Sequence, residues 1–119
     1  MHRIAELLRR WSAGTRRALN GPRQALPGEV QQLQGLVKEM QQLPVVPCLR
    51  NARDGMAEGM ERYTAALLSH LHGSASDDEI ARGIRAAQTT IETNVVGMLV
   101  CRPDLVVVAA AGVKATSGV

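Results

Sequence analysis

Few side chains in this sequence have the chemistry of a catalytic or metal site, and the most suggestive are two histidines with a serine beside them. His70 and His72 lie two residues apart, whereas two metal ligands on one helix face need a spacing of three or four. Ser69 and His70 are adjacent, and adjacent helical residues do not face each other. We therefore expect the two histidines near a helix C-terminus, where imidazole interacts favourably with the helix dipole.

The acidic run of Asp77, Asp78 and Glu79 is a second candidate for metal binding or acid–base chemistry. Ser76 precedes it, and a serine followed three residues later by glutamate is typical of a capping box at the start of a helix. Asp77 and Asp78 favour the positive end of the same helix. Helix capping accounts for every residue of the run, and the sequence contains no phosphate-binding loop or dinucleotide fingerprint. We expect no catalytic residue, no metal and no cofactor, and hence no enzymatic activity.

Cys48 and Cys101 are a candidate disulfide. They flank two segments of helical periodicity that a short turn near Ser74 and Ala75 connects, so the segments should pack antiparallel. Residues at the same level then have numbers that add up to about 149, as those of the two cysteines do. The same sum pairs Ala52 with Gly97, and Ala66 with Gly83, and such small residues would let the two helices approach closely. The alternative is two unrelated buried thiols, since a reducing cytosol keeps most cysteines free.

The positive charge of the chain lies in its N-terminal arm. Residues 1–27 carry six arginines against one acid, Glu6, whereas the remainder has eight basic and ten acidic residues. Ile4, Leu7 and Leu8 recur at helical spacing between the arginines, which predicts a basic amphipathic helix. The candidate contacts to phosphate or lipid are Arg3, Arg9, Arg10, Arg16, Arg17 and Trp11. The alternative is that the apolar face packs on the protein's own core while the arginines stay solvated.

Periodicity and composition predict an all-α fold. Aromatic residues make up only 2% of the chain, so the core must consist of aliphatic side chains, which suit helix-on-helix packing. A helix is predicted over 29–42, followed by an extended break at 43–47 because two prolines disrupt it. The strongest periodicity predicts a long antiparallel helical hairpin, about 47–72 and 76–102. Together with the two shorter N-terminal helices it should form a small helical bundle.

We divide the chain into a basic amphipathic arm and linker (1–27), a helical bundle core (28–104), and an apolar strap with a flexible tail (105–119). The apolar stretch 95–113 is interrupted by Arg102, Pro103 and Asp104, so no transmembrane segment is expected. Charges in the first ten residues argue against a signal peptide. These features favour the cytoplasm, although a disulfide between the cysteines would favour an oxidising compartment.

Two functional hypotheses follow. The first is a non-enzymatic helical module for protein–protein interaction or self-association, because two helices of about 25 residues exceed their shorter companions and would leave apolar stripes for a homo-oligomer or partner to cover. The second is binding of nucleic acid or an anionic membrane surface by the arginine-rich N-terminal helix, through sequence-independent contacts with phosphate.

Overall fold

The part of the chain that the structure describes, residues 2–101 without the side chain of His2, consists of four helices joined by short segments. In this computed structural model, α1 spans His2–Asn20, α2 Leu26–Gln42, α3 Arg50–His72 and α4 Asp77–Cys101. Two 3₁₀ turns, Arg23–Ala25 and Pro47–Leu49, lead into α2 and α3. Each helix packs mainly on the next one along the chain. The predicted all-α class, the helical bundle and the long hairpin of α3 and α4 are confirmed.

The turn between α3 and α4 has strong end signals on both sides. Gly73 ends α3 in the left-handed conformation, with φ 64°, which glycine adopts without steric cost. Its N–H donates to the carbonyl of His70, and the N–H of Ser74 donates to that of Ser69. These two hydrogen bonds form a Schellman motif. At the start of α4, Ser76 Oγ accepts a hydrogen bond of 3.2 Å from the N–H of Glu79, as the predicted capping box requires.

Glycines set the distance between α3 and α4. A Cβ placed on Gly59 would lie 2.8 Å from Ile91 Cγ1 and 3.1 Å from the carbonyl oxygen of Ala87. A Cβ on Gly55 would occupy the space of the Asn94 side chain. Because backbone atoms of α4 line the Gly59 site, they cannot withdraw as a flexible side chain would. The two glycines of the sequence Gly55-x-x-x-Gly59 therefore mark a close helix contact.

The predicted register of the hairpin holds, with one local exception. A Cβ on Gly83 would lie 3.5 Å from the Cβ of Ala66, which agrees with the pairing expected for these two residues. Gly97 behaves differently, because a Cβ there would meet no atom within 4 Å. The prediction that Gly97 and Ala52 allow the helices to approach closely is wrong, since Gly97 lies on the exposed side of α4.

One hydrophobic core includes residues from all four helices. The predicted stripes of α2, α3 and α4 are buried for most of their length, and the apolar side of α1 is buried with them. Trp11 of α1 packs edge-on against Tyr63 of α3, with the ring centroids 5.4 Å apart and the planes at 79°, an arrangement that aromatic pairs prefer. The core thus extends without interruption from the N-terminal helix to α4.

The region around the N-terminal linker differs from expectation in one respect. Helix α2 begins at Leu26 rather than at Glu29, because Pro27 occupies the first turn, where its missing N–H costs nothing. Leu26 is buried, and residues 23–28, where the linker was predicted, are helical. A Cβ on Gly14 would lie 2.8 Å from Leu33 Cδ2, which shows how closely α1 and α2 pack. The predicted strap and tail at 105–119 lie outside the described residues.

The close contact at Gly59 can be tested by a substitution and by a control substitution that should change stability in the opposite direction. We expect Gly59→Ala to lower the free energy of unfolding by about 1–3 kcal/mol, because the new methyl group overpacks the contact with α4. Gly35→Ala should raise it by about 0.5–1 kcal/mol, because Gly35 is helical with open space around it and alanine favours the helix. Urea unfolding followed by circular dichroism measures both. Equal changes in the two variants would contradict the packing of Gly59.

Burial makes the single tyrosine a reporter of alkaline unfolding. Burial raises the pKa of Tyr63 to about 12 from the ordinary 10.0. Since the fold favours the neutral phenol, this contribution to stability is complete below a pH of about 10 and is lost as the pH rises towards 12. We expect tyrosinate absorbance to appear at higher pH in the folded than in the urea-unfolded chain. The pH dependence of unfolding of the Tyr63→Phe variant corrects for the other groups that titrate at alkaline pH. Coincident tyrosine titration curves of the folded and the urea-unfolded chain would contradict the prediction.

Candidate functional site

The two cysteines meet at the open end of the hairpin. Cys48 lies in the 3₁₀ turn before α3 and Cys101 is the last residue of α4. Their Cα atoms are 6.1 Å apart, within the range that disulfides require, and their sulfur atoms face each other in direct contact. The predicted proximity is confirmed. Cys48 is exposed and Cys101 half-buried, so the pair is accessible to thiol reagents.

The predicted arginine contacts lie on the outside of α1, but Trp11 does not accompany them. Arg10 forms an ion pair of 3.1 Å with Glu39 of α2, and Arg17 forms one of 3.1 Å with Glu29. The remaining predicted arginines of α1 are also exposed: Arg3, Arg9 and Arg16. Trp11 is completely buried, so this surface offers guanidinium groups without an aromatic side chain.

A third surface, on α4, was not singled out from the sequence. Val96 and Val100 are 63% and 85% exposed and lie one helical turn apart. Thr89, Thr93 and Gly97 are exposed on the same side of the helix. We call these five residues the outer face of α4. The signal was present in the sequence, since both valines fall outside the buried stripe of Ile91, Val95 and Met98, but periodicity directs attention to the buried side.

The histidines and the acidic run lie at helix ends. His70 and His72 are in the last turn of α3, and Asp77, Asp78 and Glu79 are in the first turn of α4, where all three are exposed. Carboxylates at a helix N-terminus and imidazoles at a C-terminus each complement the helix dipole. Within residues 2–101, no three histidine, cysteine, aspartate or glutamate side chains are placed to hold a metal ion.

The helices described by the structure include none that is long and apolar enough to cross a bilayer. Comparison of the chain with protein-family models, with curated proteins and with solved structures gave no match. The three surfaces above are therefore the basis for a functional proposal.

The cysteine pair leads to a measurable prediction about stability. The cross-link closes a loop between residues 53 positions apart, and the chain-entropy model gives about 4 kcal/mol of stabilisation for such a loop. We expect reduction by a dithiol to lower the free energy of unfolding by about this amount. In a Cys48→Ser, Cys101→Ser double variant the reductant should have no effect. Intact mass and thiol titration of protein prepared in air measure the bond directly, and two freely titrating thiols would rule it out.

Proposed function

We propose that this chain is a non-enzymatic helical interaction module that self-associates, with the outer face of α4 as the contact between two copies. The observation that carries the proposal is the exposure of Val96 and Val100, 63% and 85%, on adjacent turns of a helix whose other face is buried. Scattered exposed apolar residues are normal, but contiguous ones on one side of a helix suggest an interaction site.

The reason for association differs from the one expected from the sequence. The apolar stripes of α3 and α4 are covered within one chain, since Met56, Met60, Ile91 and Val95 are all buried. A second copy is therefore not needed to complete the core. Within residues 2–101, what is left without a partner is a separate face of α4, and this favours association of folded chains over exchange of core elements.

The chemistry of the outer face of α4 suits contact with an identical surface. The exposed charged residues of α4 lie in its first half, the last of them being Arg85, and none of the five residues of the outer face is charged. Glu92, which is half-buried, is the one charged residue at the edge of this face. Two copies related by a two-fold axis would thus bring no like charges together from the five residues themselves. Gly97 adds no side chain between the helices, and the space above it is open, so a second helix can approach closely.

Magnitudes indicate a weak complex. Burying a valine side chain contributes about 1.5 kcal/mol, so two valines from each copy give about 6 kcal/mol. Association costs about 4–15 kcal/mol in lost translational and rotational freedom. Even at the lower end of that cost, the two valines leave only about 2 kcal/mol, which corresponds to a dissociation constant of about 10⁻² M. A dimer that is measurable at about 10⁻³ M therefore requires the rest of the outer face of α4 to contribute as well.

Substitution of an exposed valine tests the contact without disturbing the core. We expect Val96→Glu to abolish the dimer, because it places two further carboxylates in the contact, one from each copy. Leu19→Glu is a matched control, because Leu19 is 41% exposed at the end of α1. This variant should associate as the unchanged chain does. Sedimentation equilibrium at protein concentrations up to about 10⁻³ M measures both.

Two outcomes would contradict the proposal. An unchanged chain that stays strictly monomeric over the whole concentration range would exclude self-association. Equal weakening by Val96→Glu and Leu19→Glu would show that association does not use the outer face of α4. Circular dichroism spectra and urea unfolding of each variant establish that the fold is retained, which is expected because both side chains lie at the surface.

A further inference from the structure

The second surface with unexplained chemistry is the arginine side of α1. Arg3, Arg10 and Arg17 follow one another at intervals of seven residues, so they lie close to one line along the helix. At 1.5 Å per residue this line is about 21 Å long. Arg9 and Arg16 lie about 100° around the helix from this line, so the five arginines are distributed over the exposed half of α1. Glu6, the one acidic residue of the helix, lies between the two sets. We call these five arginines the arginine row.

Packing fixes the direction in which the arginine row faces. On the opposite side of α1, Ile4, Leu7 and Trp11 are at most 2% exposed. The helix cannot rotate without removing them from the core, so the guanidinium groups are held at the surface. Arg10 and Arg17 are further positioned by their ion pairs with Glu39 and Glu29 of α2. Arg3 and Arg9 have no ion pair within the described part of the chain.

Burial of the apolar side of α1 distinguishes between a lipid surface and nucleic acid as the anionic partner. A helix that binds a lipid surface inserts its apolar side into the boundary of the acyl chains. Here Leu7, Leu8 and Trp11 belong to the core, so insertion would require α1 to leave the bundle. Nucleic acid makes no such demand, because its phosphates are neutralised by guanidinium groups that stay at the surface.

The structure also indicates how such binding would depend on base sequence. Proteins that hold single strands stack bases on aromatic side chains. The chain has one tryptophan and one tyrosine and no phenylalanine, and Trp11 and Tyr63 are both buried. We infer that the arginine row of α1 binds the phosphate backbone of nucleic acid, without stacking on bases and without sequence preference. This inference is independent of self-association through α4.

The strength of binding follows from the number of phosphates contacted. A row of five arginines, two of them shared with carboxylates of α2, would neutralise about three to five phosphates. The logarithm of the binding constant should then fall with the logarithm of salt concentration with a slope of about −3 to −4.5, and the dissociation constant should lie at about 10⁻⁴ to 10⁻⁶ M at physiological salt.

A pair of double variants distinguishes the arginine row from net charge. Arg3→Gln with Arg9→Gln removes two arginines of the row, and Arg82→Gln with Arg85→Gln removes two exposed arginines of α4. Each double variant lowers the formal net charge of +3 by two. We expect the first to weaken binding to a fluorescent mixed-sequence DNA duplex about tenfold and to reduce the salt slope by about two. The second should bind within about twofold of the unchanged chain.

Fluorescence anisotropy over a series of salt concentrations gives the affinity and the slope, and circular dichroism confirms that each variant is folded. Equal loss in the two double variants would assign binding to net charge and overturn the inference, as would absence of binding to the duplex. Vesicles with and without anionic phospholipid form the second arm. Binding to the anionic vesicles but not to the duplex would assign the row to lipid headgroups and likewise overturn it.

Discussion

The close approach of α3 and α4 at Gly59 is the constraint on which most of this fold depends. With no side chain at that position, Ile91 and the backbone of Ala87 come within van der Waals contact of α3, so the two helices can be neither separated nor displaced along each other without losing the contact. The Schellman motif at Gly73 and the cap at Ser76 fix the other end. One register then brings Cys48 to Cys101 and directs the stripes of both helices to one core.

That core is connected to the N-terminal helix by an aromatic contact in a protein with hardly any aromatic residues. The edge-on packing of Trp11 on Tyr63 links α1 to α3 across α2, and burial of the tyrosine raises its pKa, because the apolar surroundings disfavour a phenolate. Because Trp11 lies in the core, the arginines of α1 lie on the sides of the helix that face solvent. The packing of the apolar side of α1 thus determines which side of the helix presents its arginines to solvent.

The sequence was informative wherever one periodic pattern decided the structure. The stripes, the capping residues at Ser76 and Glu79, and the sum of residue numbers that pairs Cys48 with Cys101 follow from helix geometry and a short turn. Positions at which one residue could take either of two structural roles were harder to predict. Pro27 could end a linker or begin a helix, and burial of Leu26 decided for the helix. Gly97 could have been a contact like Gly59, and only its rotational position on α4 shows that it faces solvent.

Stability and surface chemistry are divided between the inner and outer helices. Helices α2 and α3 each pack against two neighbours, whereas α1 and α4 lie at the two ends of this series. An outer helix buries one side and leaves the other to vary without loss of the core. The exposed valines of α4 and the arginine row of α1 occupy these unburied sides, so either can change its chemistry while the stripe behind it stays the same. Val100 is adjacent to Cys101, so the contact between the two cysteines at the open end of the hairpin lies beside the last turn of the outer face of α4.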